Sequence, residues 1–221
     1  PDWISQKIEE DWGDSLARIL EAGNQRAPMV LRVDLTKVSR AAYLLQLTDQ
    51  AILAEEHPVV DSAVILHSPL AVELLPGFVS GLVSVQDAAA QLAAILLGCE
   101  PGMRVLDACA APGGKTLHIL QSVNNLQLLA LDKDEQRLQR VQENMLRGGV
   151  KSELVCADAA LPDSWFDGPM FDRILLDVPC SASGIIRRHP DIRLLRQPGD
   201  IDGLVQQQRR LLSALWPLLK P

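Results

Sequence analysis

Asp177-Val178-Pro179-Cys180 sets a carboxylate and a thiol three residues apart, with a proline stiffening the turn between them. Arg187, Arg188, His189, Arg193 and Arg196 follow within a short span. Such cations lower the pKa of a nearby thiol and attract phosphate. A lone cysteine is more often a buried, inert one, but Cys180 lies in a polar, glycine-containing loop. An acid beside a thiol suits pyrimidine chemistry. Carbon 5 of a pyrimidine is a weak nucleophile; a thiolate adding to C6 makes the ring enamine-like and lets C5 attack an electrophilic methyl group. A neighbouring acid can hydrogen-bond or protonate N3 as charge develops. A base then removes the C5 proton and the thiol leaves. On the residues alone, Cys180 is the attacking group and Asp177 the acid. Amino-methylating enzymes end this loop in a Pro-Pro-aromatic triplet, which is absent.

That chemistry needs a methyl donor, and one stretch is built to hold a nucleotide-like ligand. Val105 to Thr116 reads VLDACAAPGGKT. A short apolar run ends at Asp107 and gives way to the small residues Cys109, Ala110, Ala111, Pro112, Gly113 and Gly114. Lys115 then opens a segment of helical spacing. A strand, a tight turn and a helix make up the ligand-binding start of a doubly wound α/β domain, where the free N–H groups of the helix face the ligand. A P-loop needs glycine where Cys109 stands, and the GxGxxG of dinucleotide sites is missing. An S-adenosylmethionine (SAM) site tolerates the looser turn. A strand–helix turn with no ligand is the plain alternative. Against it, Asp132 ends the next apolar run, Leu126 to Leu131, at the spacing at which a carboxylate meets a ribose diol. Asp158 and Asp177 end the two runs after that, and four such aspartates in succession are hard to explain as solvated loop residues.

The elements that would carry these residues follow from periodicity. Strands are expected at 103–106, 126–131, 153–156 and 171–176, with helices near 115–123, 135–147 and 204–219, Asp134 serving as N-cap and Gly148-Gly149 as stop. This alternation predicts a parallel, Rossmann-like sheet. Ahead of it, helical spacing over 3–22 is weakened at Gly13. Strands at 29–33 and 59–67 and a helix over 40–56 complete a small α+β unit. Arg32 sits among apolar neighbours in the first of these strands. The expected division is a small α+β subdomain over 1–78 and the Rossmann-like domain over 79–221. Between them a strand runs from Gly81 into a helix over 88–97, with Gln86 and Asp87 polar at the junction and Asp87 read as a helix cap. His57 and His67 read as ordinary surface residues.

The composition sets limits. The 221 residues carry a formal charge of −7 and are 48% hydrophobic, ample for a core. An acidic chain does not bind nucleic acid by bulk charge, so any RNA site must be local; Arg187, Arg188 and His189 are the candidate patch. Cys99, Cys109, Cys156 and Cys180 form no CxxC pair, so neither a disulfide framework nor a metal site is expected, and a reducing cytoplasm is. No run reaches membrane-spanning length and no signal peptide is visible. Pro1 in place of Met suggests a piece of a longer protein.

DACAAPGGKT, LALDKDEQRL, DVPCSASGIIRRHPDIRLLR and the upstream SVQDAAAQ together closely resemble the bacterial small-subunit ribosomal RNA cytosine-C5 methyltransferases of the RsmB (Sun/Fmu) type. The resemblance covers roughly Met29 to the end. It implies SAM contacts at Cys109–Lys115, Asp132, Asp158 and Asp177, 16S ribosomal RNA as partner, and a small N-terminal subdomain that helps hold RNA; a monomer is expected. Many members carry a NusB-like helical domain further upstream. Two departures are visible. Val178 stands where alanine is common. More important, enzymes of this type attack with a Thr-Cys-Ser cysteine at the end of the next strand, and the Pro-Cys cysteine, here Cys180, is thought to assist product release. The chain stops at Leu218-Leu219-Lys220-Pro221, where that strand would begin, so the resemblance takes the attacking role from Cys180. Two rivals remain: a non-catalytic SAM- or RNA-binding fragment, and a nicotinamide dehydrogenase, disfavoured by the absent GxGxxG.

Overall fold

The computed structural model describes all residues, 1–221. The chain divides into two compact units, one of residues 1–27 with 179–209, the other of 28–178 with 210–221.

The first unit is helical. α1 (Asp2–Trp12) and α2 (Leu16–Asn24) are separated by a short 3-10 turn at Gly13–Ser15. The expected weak point at Gly13 is therefore a break, with φ at +49°, a conformation that glycine adopts without steric penalty. The last carbonyls of α2 lack helical partners, and arginines from the 179–209 segment reach one of them and the chain just past the helix. Arg193 donates to Gly23 O at 2.7 Å and to the Asn24 side chain, while Arg187 Nη2 donates to Arg26 O at 2.8 Å.

The second unit holds two four-stranded sheets. In the antiparallel one, β1 (Met29–Val33), β2 (Ala54–Glu56), β3 (Ala63–Leu66) and β4 (Val83–Val85) lie in the order β2-β3-β1-β4. α3 (Arg40–Asp49) packs Tyr43 and Leu47 onto Leu31, Val33, Val64 and Val83. The expected helix over 40–56 stops at Asp49, and its last residues become β2. The expected strand over 59–67 shortens to β3, because 57–63 forms a turn in which His57 Nδ1 accepts from the N–H groups of Val59 and Val60.

The parallel sheet contains β5 (Arg104–Ala108), β6 (Gln127–Asp132), β7 (Glu153–Cys156) and β8 (Arg173–Leu176), in the order β7-β6-β5-β8. Its strands are apolar on both faces because both are covered. Val105, Leu128 and Ala130 face one layer with Ala94 of α4 (Ala88–Leu97), Ile119 of α5 (Gly114–Ser122) and Leu138, Val141 and Met145 of α6 (Glu135–Gly148). Their neighbours Leu106, Ala108, Leu129 and Leu131 face the other, against Phe171 and against Leu211 and Leu215 of α8 (Gly199–Leu215). α7 (Ile192–Leu195) is a single turn before α8.

The sequence-based division at 78/79 differs from what the backbone does. β4, expected to belong with the Rossmann-like part, pairs antiparallel with β1, Leu31 opposite Val85. Its N–H and C=O groups find their ladder in the small sheet, and α4 then leads back to β5. Two cations join the small sheet to α6 within this unit. Lys37 Nζ donates to Gly148 O at 2.8 Å, and Arg147 donates to Val83 O at 2.8 Å while lying over the Phe78 ring.

Candidate cofactor and base-modifying site

The parallel strands all end at one edge, and the acids identified in the sequence end there with them. Asp107 is 1% exposed, near the end of β5. Thr116 donates its hydroxyl to Asp107 Oδ2 at 2.6 Å, and Oδ1 has no partner in the chain. Burial pushes this carboxyl up to about 7; Asp177 and Asp132 push the same way, against Thr116 and Lys115. A carboxylate held this way is poised to gain from a cation, which would favour its charged form.

After β5 the chain turns through Cys109, whose φ is +62°, to Gly113 at +95°. A Cβ on Gly113 would stand 2.9 Å from Val141 Cα, so only glycine lets the turn pack on α6. Asp132 fixes the turn from below. It is 3% exposed, and its two oxygens accept from Ala111 N at 3.0 Å and Asp134 N at 3.1 Å. Each oxygen keeps a second acceptor position. From α6, Arg137 donates to Ala111 O and Asn144 to Pro112 O, both at 2.9 Å.

Lys115, on the first turn of α5, pairs with Asp177 just past β8. Asp158, past β7, accepts from Ala160 N at 2.9 Å and pairs with Arg210 at 3.1 Å. The influence of Asp177, Lys115 and Asp132 on Asp107 puts all four in one electrostatic cluster. The Cys109 thiol is pushed up to about 11, first by burial and then by Asp132, Asp107 and Asp177. That shift favours the protonated thiol over the nucleophilic thiolate near neutral pH. Cys180 is exposed and belongs to the helical unit, where Gln208 donates to Pro179 O at 2.9 Å and ties its loop to α8.

The basic candidates fare unevenly. Arg187 is turned onto the end of α2, as is Arg193, and Arg196 donates to Ser181 O at 3.2 Å. Arg188 and His189 are exposed beside them. Sequence reasoning passed over several residues that build the site. Thr116 stood inside the quoted motif, but nothing marked its hydroxyl as the Asp107 partner. Arg137 and Asn144 read as the polar face of α6. Arg32, noticed as a charge in an apolar strand, proves 2% exposed and donates to Gln86 and to Gln121 of α5, each at 2.6 Å.

A parallel α/β sheet with a small-residue turn after its first strand and acids along its carboxyl edge is the Rossmann-like fold of SAM-dependent methyltransferases. Comparison with known proteins agrees. Residues 94–221 match the family described as 16S rRNA methyltransferase RsmB/F, and residues 1–73 match the ferredoxin-like domain described for RsmF/B-like methyltransferases. The chain belongs to the RsmB/F family of 16S rRNA methyltransferases. It is 47% identical over 221 residues to ribosomal RNA small subunit methyltransferase B of Vibrio cholerae, covering all of this chain and 51% of that protein. It is 51% identical to a probable methyltransferase B of Coxiella burnetii, covering 52% of that protein. The chain thus spans about half the length of the curated relatives it matches. Among solved structures, a methyltransferase homolog protein from Pyrococcus horikoshii superposes with a TM-score of 0.81 at 31% identity, over 95% of this chain and 67% of that one. NSun6 from the same organism, solved with SFG, superposes at 0.89 and 21% identity over all of this chain and 80% of that one, a likeness of fold. No helix is long and apolar enough to cross a membrane.

Proposed function

We propose that these 221 residues carry the SAM site and the base-facing acid of a 16S rRNA cytosine-C5 methyltransferase, and that the chain by itself binds the cofactor without completing methyl transfer. The observation that supports this best is Asp107: a buried carboxyl with an unpartnered oxygen, in a cluster of three acids and one lysine beside a small-residue turn. That donor set fits SAM, which brings a sulfonium, an ammonium and a ribose diol to acceptors that otherwise repel one another. Bound there, SAM supplies an electrophilic methyl group. Cys109 to Lys115 enclose it, Asp132 offers its remaining lone pairs to the ribose hydroxyls, and Asp158 bounds the far side. Asp177, half-exposed and held by Lys115, hydrogen-bonds the pyrimidine ring at N3 as charge develops. Arg187, Arg188 and His189 hold RNA phosphate.

The second half of the proposal rests on the cysteines present. None of the four follows a threonine, so the attacking Thr-Cys-Ser group of related enzymes has no counterpart among these residues. Cys109 is held as a thiol, and Cys180 occupies the product-release position. Calorimetry with SAM, with a nicotinamide dinucleotide as control, tests the first half; absence of SAM binding overturns it. Incubation with SAM and 16S rRNA, followed by mass spectrometry of nucleosides, tests the second. Formation of 5-methylcytosine by this 221-residue chain would overturn the assignment of roles to its cysteines.

A further inference from the structure

We propose that Gln86, which follows β4 of the small antiparallel sheet, is a cofactor contact: with the first turn of α5 it binds the carboxylate at the amino-acid end of the ligand. The inference rests on the SAM reading above and adds a residue to it.

α5 begins without a cap. Gly113 has no side chain to offer, and the N–H groups of Gly114, Lys115 and Thr116 have no acceptor in the chain. By contrast α3, α4 and α6 each open with a side-chain oxygen, from Ser39, Asp87 and Asp134, accepting a first-turn N–H. An uncapped helix start attracts an anion, though it does not by itself define a site. Gln86 supplies the independent feature. It is 8% exposed, and its Nε2 has no partner. That nitrogen lies 4.0 Å from the point where a Cβ on Gly114 would stand. Its orientation is fixed, because Oε1 accepts from Arg32 Nε at 2.6 Å and arginine is only ever a donor. Arg32 in turn is held by Gln121, whose Nε2 donates to Asp34 at 2.7 Å. Two amide N–H bonds are thus locked toward the start of α5 with nothing in the chain to receive them.

A residue kept only to hold Arg32 would serve as well as glutamate. Glutamine retains donors whose burial is unfavourable unless an acceptor meets them. The ligand group required is a compact anion, and the amino-acid carboxylate of SAM is one. The unpartnered Oδ1 of Asp107, on the strand leading into the same turn, gives the ammonium of that amino acid an acceptor. Gly114 puts no side chain between Gln86 and the helix; a Cβ there would just touch Gln86 Nε2, and its φ is not in the left-handed region, so alanine fits there without strain.

The test compares two neutral-sulfur ligands by calorimetry. S-adenosylhomocysteine carries the amino acid; 5′-methylthioadenosine lacks it. Gln86→Glu keeps an oxygen for Arg32 but replaces the donors with a negative charge. It should weaken S-adenosylhomocysteine about 10–100-fold and leave methylthioadenosine within about twofold. Gly114→Ala should weaken S-adenosylhomocysteine selectively as well, and it carries the test if Gln86→Glu melts early. Equal weakening of both ligands would make Gln86 a structural residue, and unchanged S-adenosylhomocysteine affinity in both variants would remove it from the site. A wild-type chain that binds neither ligand sinks the SAM reading itself, a separate and visible failure.

Discussion

Asp107→Asn should make the protein more stable and a poorer cofactor binder, and the stability gain should depend on pH in a calculable way. The folded carboxyl titrates at about 7 against its usual 3.8. The folded state therefore holds a proton that the unfolded chain gives up, and stability falls as pH rises from about 3.8 toward 7, then levels off. Over the whole window the loss is about 4 kcal/mol, and the part between pH 5 and pH 8 is about 2–3 kcal/mol. Asparagine keeps the shape and still accepts the Thr116 hydroxyl, but it has no charge to bury. Urea unfolding of both proteins at pH 5, 6, 7 and 8 reads this group and the neighbours coupled to it, since every titration not coupled to Asp107 cancels in the difference between them. The variant's advantage should grow by about 2–3 kcal/mol across that range. A difference that stays constant with pH would refute the placement of an ionisable, poorly compensated acid at position 107. The same carboxylate should welcome a cation, so wild-type affinity for SAM should rise with pH through about 7, and the variant should lose that rise.

Asp132→Ala removes the acceptor for Ala111 N and Asp134 N and should weaken SAM binding by about 1–3 kcal/mol; unchanged affinity by calorimetry would mean that the carboxylate serves the turn alone. Replacing Arg187 and Arg188 with alanine should weaken RNA binding and flatten its dependence on salt. An unaltered slope accompanied by a lower melting temperature would assign Arg187 to the end of α2, where it already donates to Arg26 O. Cys109, with its thiol pushed up to about 11, should resist alkylation near neutral pH and react only as pH climbs toward that value, while exposed Cys180 reacts first. Peptide mapping after timed iodoacetamide treatment checks the order, and rapid labelling of Cys109 at neutral pH would contradict its burial among carboxylates.

The parallel sheet was legible because its physics is local. Runs such as Leu126–Leu131 are apolar on both faces, each ends in an acid, and the turn before α5 has room only for small residues. Asp134 and Gly149 bounded α6 from the sequence because caps are chosen within one turn of the helix they serve. What the sequence concealed depends on residues far apart in the chain. β4 reads as the approach to α4, and its pairing with β1 is set by which edge of the small sheet needed a partner, a tertiary choice with no local signature. Arg187 and Arg193 read as phosphate ligands by charge alone; only the fold shows that Gly23 at the end of α2 and Arg26 just past it, more than 160 positions away, take their N–H groups. Gln86 is the sharpest instance. Beside Asp87 it looked like part of a helix cap, and Asp87 does cap α4. Its own amide is oriented by a buried arginine from β1 and directed at a helix that begins 28 residues later. A donor fixed by one distant residue and unmet by any other leaves no trace in a sequence pattern, and in this chain the Gln86 amide beside the start of α5 is such a donor.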